Sequence, residues 1–205
     1  MRLTPVQKGL WVVTGIVAAA WAAWLGLGAL DPAPASGVGT DLVEAESFRP
    51  TFALPDADGR LVTSEDLRGR YLLVFFGFTN CPDVCPTTLS EVAQVMDDLG
   101  PDAERVQPLF VSVDPERDRA LGLAEYTEAF HSSILGLAGD EDQTRAAADS
   151  FKVFYGREDD PAAPDGYTMA HFPGLVLVGP EGDWLDIYDY GTPAADITAD
   201  LRSRL

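Results

Sequence analysis

Lysine is almost missing from this 205-residue chain, which has only Lys8 and Lys152. Histidine and cysteine are as scarce, with two residues of each, and methionine occurs three times. Positive charge as a whole is in short supply: 14 Lys and Arg face 33 Asp and Glu, for a net charge of −19. Every acid follows residue 30. An acidic surface of this kind excludes nucleic acid as a partner and opposes docking onto anionic lipid. It suits a cationic partner or a metal ion, and it keeps the chain soluble. No internal repeat is visible.

Charge of either sign is missing from 9–30, an apolar stretch with Arg2 and Lys8 ahead of it. As a helix it would reach about 33 Å at about 1.5 Å per residue, enough to cross a bilayer core. Cations ahead of a span place the N-terminus in the cytoplasm. The expectation is a single-pass anchor in a bacterial cytoplasmic membrane, with the bulk of the protein on the periplasmic or extracytoplasmic side. The apolar region is longer than that of a cleaved signal peptide, although Ala33-Pro34-Ala35 has the small-x-small form of a cleavage site. Residues 31–47 are rich in Pro, Ala and Gly and read as a flexible linker. The chain therefore divides into 1–30, 31–47 and a folded domain over 48–205.

Within that domain, 51–55 and 58–62 predict a hairpin around Asp58-Gly59. Tyr71 to Phe78 is a near-continuous apolar run, which marks a strand buried on both faces. A helix follows from Pro86 to Leu99, then a second buried strand over 106–113. Helices are expected over 120–130 and 142–153, with a short strand over 134–137 between them. The acidic, Pro- and Gly-rich stretch 156–166 reads as a loop. Strands over 175–178 and 184–188 pair around Gly179-Pro180-Glu181-Gly182, and a helix over 193–205 ends the chain. Strands alternating with helices give an α/β fold, and the terminal hairpin makes its sheet mixed.

The only cysteines, Cys81 and Cys85, lie where the first buried strand runs into its helix. Thiols at i and i+4 share a helical face, and a helix N-terminus favours the thiolate. Two such sulfurs can bind a soft metal ion or cycle between dithiol and disulfide. A structural staple is the third reading, yet a five-residue loop would gain only about 2 kcal/mol from it. His171 precedes the strand over 175–178, and an α/β layer can bring that loop beside the cysteines. Two thiolates and one imidazole suit Cu(I), whereas closed tetrahedral zinc needs a fourth ligand. His131 follows a predicted helix and is not obviously near.

Three runs together resemble the Sco/SenC family: Gly77-Phe78-Thr79-Asn80-Cys81-Pro82-Asp83-Val84-Cys85-Pro86, Ser112-Val113-Asp114-Pro115-Glu116-Arg117-Asp118, and His171 eight residues before Gly179. Asp66-Leu67-Arg68-Gly69 adds support. The resemblance implies a thioredoxin-like fold and an extracytoplasmic copper chaperone for the dinuclear copper centre of cytochrome c oxidase. It implies copper ligands at Cys81, Cys85 and His171, taking Cu(I) and also Cu(II), with Asp114 as an outer-shell or weak fourth group. Asp114 could equally just end its strand and cap a turn. The implied partners are the oxidase's copper-bearing subunit, another copper chaperone or thiol–disulfide reductase, and the membrane through the N-terminal helix. The run Ala170-His171-Phe172-Pro173 departs from the family's usual Asp-His-Ser-like pattern. Its proline suggests a cis Phe172–Pro173 bond, as in thioredoxin-like reductases. The alternative function is accordingly a membrane-anchored thiol–disulfide oxidoreductase with Cys81 and Cys85 as its redox pair. A peroxidase is disfavoured, because Phe78 stands where such sites place a threonine.

Overall fold

The computed structural model describes residues 48–205; the expected anchor and linker lie outside the described residues. No helix among the described residues is long and apolar enough to cross a membrane. The elements run β1 (Ala53–Pro55), β2 (Leu61–Thr63), β3 (Tyr71–Gly77), α1 (Val84–Leu99), β4 (Val106–Ser112), α2 (Pro115–Leu121), α3 (Leu123–Glu128), β5 (Leu135–Leu137), α4 (Glu141–Ser150), β6 (Tyr155–Asp159), β7 (Tyr167–His171), β8 (Leu175–Val178), β9 (Trp184–Tyr188) and α5 (Ala194–Arg204).

The main sheet has five strands in the order β5-β4-β3-β8-β9. β3, β4 and β5 are parallel; β8 and β9 are antiparallel to their neighbours. This mixed sheet flanked by helices fits the thioredoxin-like expectation. β3 is central because its side chains are apolar on both faces. Successive residues of a strand point to opposite faces. Phe75 meets Phe110 at 6.1 Å between ring centroids, while Phe76 meets Phe151 at 5.4 Å. α1 buries Leu89, Val92, Met96 and Leu99 at helical spacing and stops at Gly100, whose φ is +57°. α4 opens with a capping box in which Asp140 and Gln143 bond each other's backbone N–H at 2.8 and 2.9 Å.

Three expectations need correction. The helix expected over 120–130 starts earlier, at Pro115, and breaks at Gly122, which has φ +83° and ψ 71°. Its apolar spacing runs across the break, yet Leu121 before it is exposed while Leu123 after it is buried. The stretch expected as a loop contains β6 and leads into β7, which pair antiparallel from Tyr155↔His171 to Asp159↔Tyr167. This hairpin forms its own two-stranded sheet. Finally, no peptide bond among the described residues is cis, so Phe172–Pro173 is trans. The Phe172 N–H donates to the Phe154 carbonyl at 3.0 Å and continues the extended path past β7. Extended backbone is what a residue before proline favours. The reductase-like feature drawn from that proline falls with the cis bond.

Candidate metal centre

Cys81 and Cys85 bracket the turn that joins β3 to α1. The turn is anchored from below. Asp118 of α2 is wholly buried and accepts from the Thr79 N–H at 3.0 Å, the Thr79 hydroxyl at 2.8 Å and the Ser112 hydroxyl at 2.6 Å. Burial pushes its carboxyl above the usual range, and these hydrogen bonds oppose that. Asp118 thus ties the cysteine loop to the end of β4. The Gly77 carbonyl accepts from the Val113 N–H at 2.8 Å and fixes the same junction. Gly77 also leaves room for a sulfur. A Cβ built there would lie 2.9 Å from Cys85 Sγ and 2.9 Å from both Phe75 and Phe110.

The two thiols differ. Cys85 is completely buried and Cys81 is half-buried. The Cys85 N–H points at Cys81 Sγ, 3.4 Å away. The Cys85 thiol hydrogen-bonds the Cys81 sulfur, and backbone N–H groups assist, so Cys81 is held down to about 4. The same hydrogen bond, with burial, pushes Cys85 up. One thiolate and one thiol therefore share the site at neutral pH.

His171 ends β7. Its Nδ1 lies 3.0 Å from the Phe172 carbonyl, which can only accept, so Nδ1 carries the proton. Nε2 is left with a free lone pair, 3.6 Å from Cys85 Sγ. Phe75 and Phe78 meet the imidazole edge-on, each at 5.8 Å between ring centroids. A backbone carbonyl on one nitrogen and a metal-facing lone pair on the other is the usual arrangement of a ligating histidine. The ligand atoms of Cys81, Cys85 and His171 all lie within 4.8 Å of one another. Two soft sulfurs and one imidazole nitrogen match the donor preference of copper.

Asp114 is outside this group. It occupies the N-terminal position of α2 without capping it through its side chain. Its carboxylate accepts from the Tyr167 hydroxyl at 3.1 Å on both oxygens and pairs with Arg117 at 2.6 Å. His131 is likewise elsewhere: its ring contacts Ser133 at 2.7 Å and Asp97 at 3.6 Å. Sequence reasoning passed over Asp118 and Tyr167. The signals were present: a second aspartate in the same seven-residue run, and a tyrosine four residues before His171.

Comparison with known proteins places this geometry. A family model described as SCO1/SenC matches residues 40–205. The mitochondrial SCO2 homolog of Bos taurus is 37% identical over 158 residues, which cover 75% of this chain and 58% of the bovine protein. This chain thus corresponds to little more than half of that relative's length. The structure of Bradyrhizobium japonicum ScoI with copper bound superposes with a TM-score of 0.70 at 34% identity, covering 78% of this chain and all of the other. BsSco, described with a disulfide switch and as a member of the Sco family of cytochrome c oxidase assembly proteins, gives 0.60 at 28% identity, covering 77% and 94% of the two chains. With two thirds of its residues and more inside the matched region, the chain belongs to the SCO1/SenC family.

Proposed function

We propose that this protein is a membrane-anchored extracytoplasmic copper chaperone that delivers its cargo to the dinuclear copper centre of cytochrome c oxidase. The observation that carries the reading is the convergence of Cys81, Cys85 and His171 donor atoms within 4.8 Å. Copper bound to the Bradyrhizobium relative and the assembly role of the BsSco family support it. In this reading Cys81 and Cys85 are the soft ligands that select Cu(I). His171 is the third ligand and matters more for Cu(II), a harder ion that draws on imidazole nitrogen. The half-exposed Cys81 thiolate is where copper enters and where it leaves for the oxidase subunit. Copper uptake expels the Cys85 proton, because a ligating cysteine must be deprotonated. The span over 9–30 holds the domain at the extracytoplasmic face of the membrane, within reach of a membrane-embedded acceptor.

A specific observation supports a second activity of the same residues. A half-exposed low-pKa thiol beside a buried high-pKa thiol is the arrangement of an attacking and a resolving cysteine. Thiol–disulfide exchange with an oxidase subunit would use Cys81 to attack and Cys85 to release. His171 separates the two activities, since exchange needs no third ligand. Titration with Cu(I) and Cu(II) of the wild type and of His171→Ala, with thermal unfolding as control, tests the assignment. A variant that binds both ions like wild type while keeping disulfide exchange overturns the chaperone in favour of the reductase.

A further inference from the structure

His171 stands on a hairpin outside the main sheet; Phe75 and Phe78 flank its imidazole, and the contacts that dock the hairpin itself set how far it stands from the sulfurs. One face of that hairpin carries Tyr155, Arg157 and Asp159, with His171, Met169 and Tyr167 as their cross-strand partners. Tyr167 gives its hydroxyl to the Asp114 carboxylate at 3.1 Å. Arg117 pairs with the same carboxylate at 2.6 Å, both side chains being only 9% exposed. The Arg117 guanidinium lies 4.1 Å from the Tyr167 ring centroid and that of Arg157 lies 3.8 Å from it. Asp165, in the turn of the hairpin, lies 3.8 Å from Arg117. Polar and cation–ring contacts thus converge on one ring, four residues along the strand from His171.

The partner surface is α2, and α2 also holds the cysteines. Asp118, one turn after Asp114, grips Thr79 in the cysteine loop. A single short helix therefore carries one carboxylate toward the sulfur side of the centre and another toward the imidazole side.

We propose that Asp114 and Tyr167 are positioning residues for His171: their hydrogen bond, backed by Arg117, docks the β6–β7 hairpin on α2 and sets whether the imidazole stands within coordinating reach of the two sulfurs. The proposal rests on Cys81, Cys85 and His171 being the copper ligands. With the latch closed the site offers two sulfurs and a nitrogen; with it open the sulfurs remain and the nitrogen retreats. Cu(II), which depends more on nitrogen, feels the latch more than Cu(I).

The test uses the full-length chain with Tyr167→Phe and Asp114→Asn, each alone and combined with His171→Ala. Cu(I) and Cu(II) affinities are measured by competition. Hydrogen exchange at the Phe172 amide, bonded to Phe154, is followed without metal. Each single variant should lower Cu(II) affinity about tenfold, the low end for outer partners of a ligating histidine, and Cu(I) affinity less. Phe172 exchange should quicken, and the Cu(II) loss should vanish once His171 is already alanine. Wild-type Cu(II) affinity and wild-type exchange in Tyr167→Phe overturn the latch. So does a loss that persists in the His171→Ala background, because it would not pass through the imidazole. If Asp114→Asn unfolds because the charge beside Arg117 is removed, Tyr167→Phe, which keeps the ring, decides alone. Should the wild type bind neither ion, the copper assignment is what fails, and the exchange arm still decides whether Tyr167 docks the hairpin.

Discussion

The cysteine loop and the histidine hairpin bring their donors to one point by different physical means. Cys85 sits under the central strand, wholly buried, with Phe75 and Phe110 around it. Its place is set by close packing, which tolerates little displacement. His171 ends a two-stranded hairpin in which β6 has three exposed residues in a row and β7 is half-buried throughout. Its imidazole is flanked by the Phe75 and Phe78 rings, and in the proposed latch its hairpin is docked through the Tyr167 ring, a carboxylate and two guanidinium groups. The sulfurs are held by bulk, and the nitrogen by two ring contacts and a few directed bonds. A site built this way can keep two ligands in place while the third yields, which suits the proposed delivery of copper.

The largest effect expected on either side is at the sulfurs. Cys81→Ala or Cys85→Ala should bring Cu(I) binding below detection in a competitive titration, with the fold retained by circular dichroism. Quantitative oxidation to a Cys81–Cys85 disulfide should do the same, since a disulfide offers no thiolate; full copper uptake afterwards would break the ligand assignment. His171→Ala comes next. It should lower Cu(II) affinity more than Cu(I) affinity, and equal losses would erase the proposed difference between the two halves of the site.

Stability should show the same contrast. Phe76→Ala, in the sheet, is expected to cost about 3–5 kcal/mol in denaturant unfolding, as for other buried aromatics. Glu158→Ala, on the exposed strand of the hairpin, should cost under about 0.5 kcal/mol, as for an ordinary surface site. Comparable costs would mean that the hairpin is as much part of the core as β3.

The two cysteines also differ in pH dependence. A thiol whose folded pKa is lowered stabilises the fold fully above its unfolded pKa, about 8.5, and loses that contribution as pH falls. For Cys81 the loss should run down to about 4. Cys85 is raised, so it costs stability above about pH 8.5, where the unfolded thiol ionises and the folded one does not. The reduced protein should therefore gain stability from pH 5 to 8 through Cys81. Cys81→Ala should flatten that limb in thermal unfolding, and an unchanged slope would refute the lowered thiol. Copper uptake at pH 7 should release about one proton, from Cys85, when followed in buffers of different ionisation enthalpy. Two protons would mean that Cys81 starts as a thiol.

Legibility followed the same division. β3 and α1 could be read because continuous burial leaves a continuous apolar run and because Leu89, Val92, Met96 and Leu99 recur at helical spacing. The cysteine pair could be placed at their junction for that reason. The hairpin could not. Its strands are half-buried or exposed, so Gly156-Arg157-Glu158-Asp159 shows no apolar alternation and reads as a loop. What makes it a strand is pairing with β7 and docking on α2, both long-range. The break at Gly122 was hidden for the opposite reason, since Leu121, Leu123, Tyr126 and Phe130 keep a helical rhythm across it. Asp114 was singled out by its motif, but its attachment to Tyr167, some fifty positions away, leaves no local trace. The anchor expected over 9–30 lies outside the described residues.

Gly77 donates nothing to a metal and carries no side chain, yet it decides what residue 85 can be. Any carbon added there would meet the Cys85 sulfur and two phenyl rings at 2.9 Å, closer than such atoms approach. Positions 75, 77, 85 and 110 are thus one steric choice written at four places in the chain. A library randomised at 77 should return glycine almost alone, and should relax to alanine or serine only when residue 85 and both phenylalanines are made smaller together. On any evolutionary route to this centre, the glycine had to be in place no later than the thiol it makes room for.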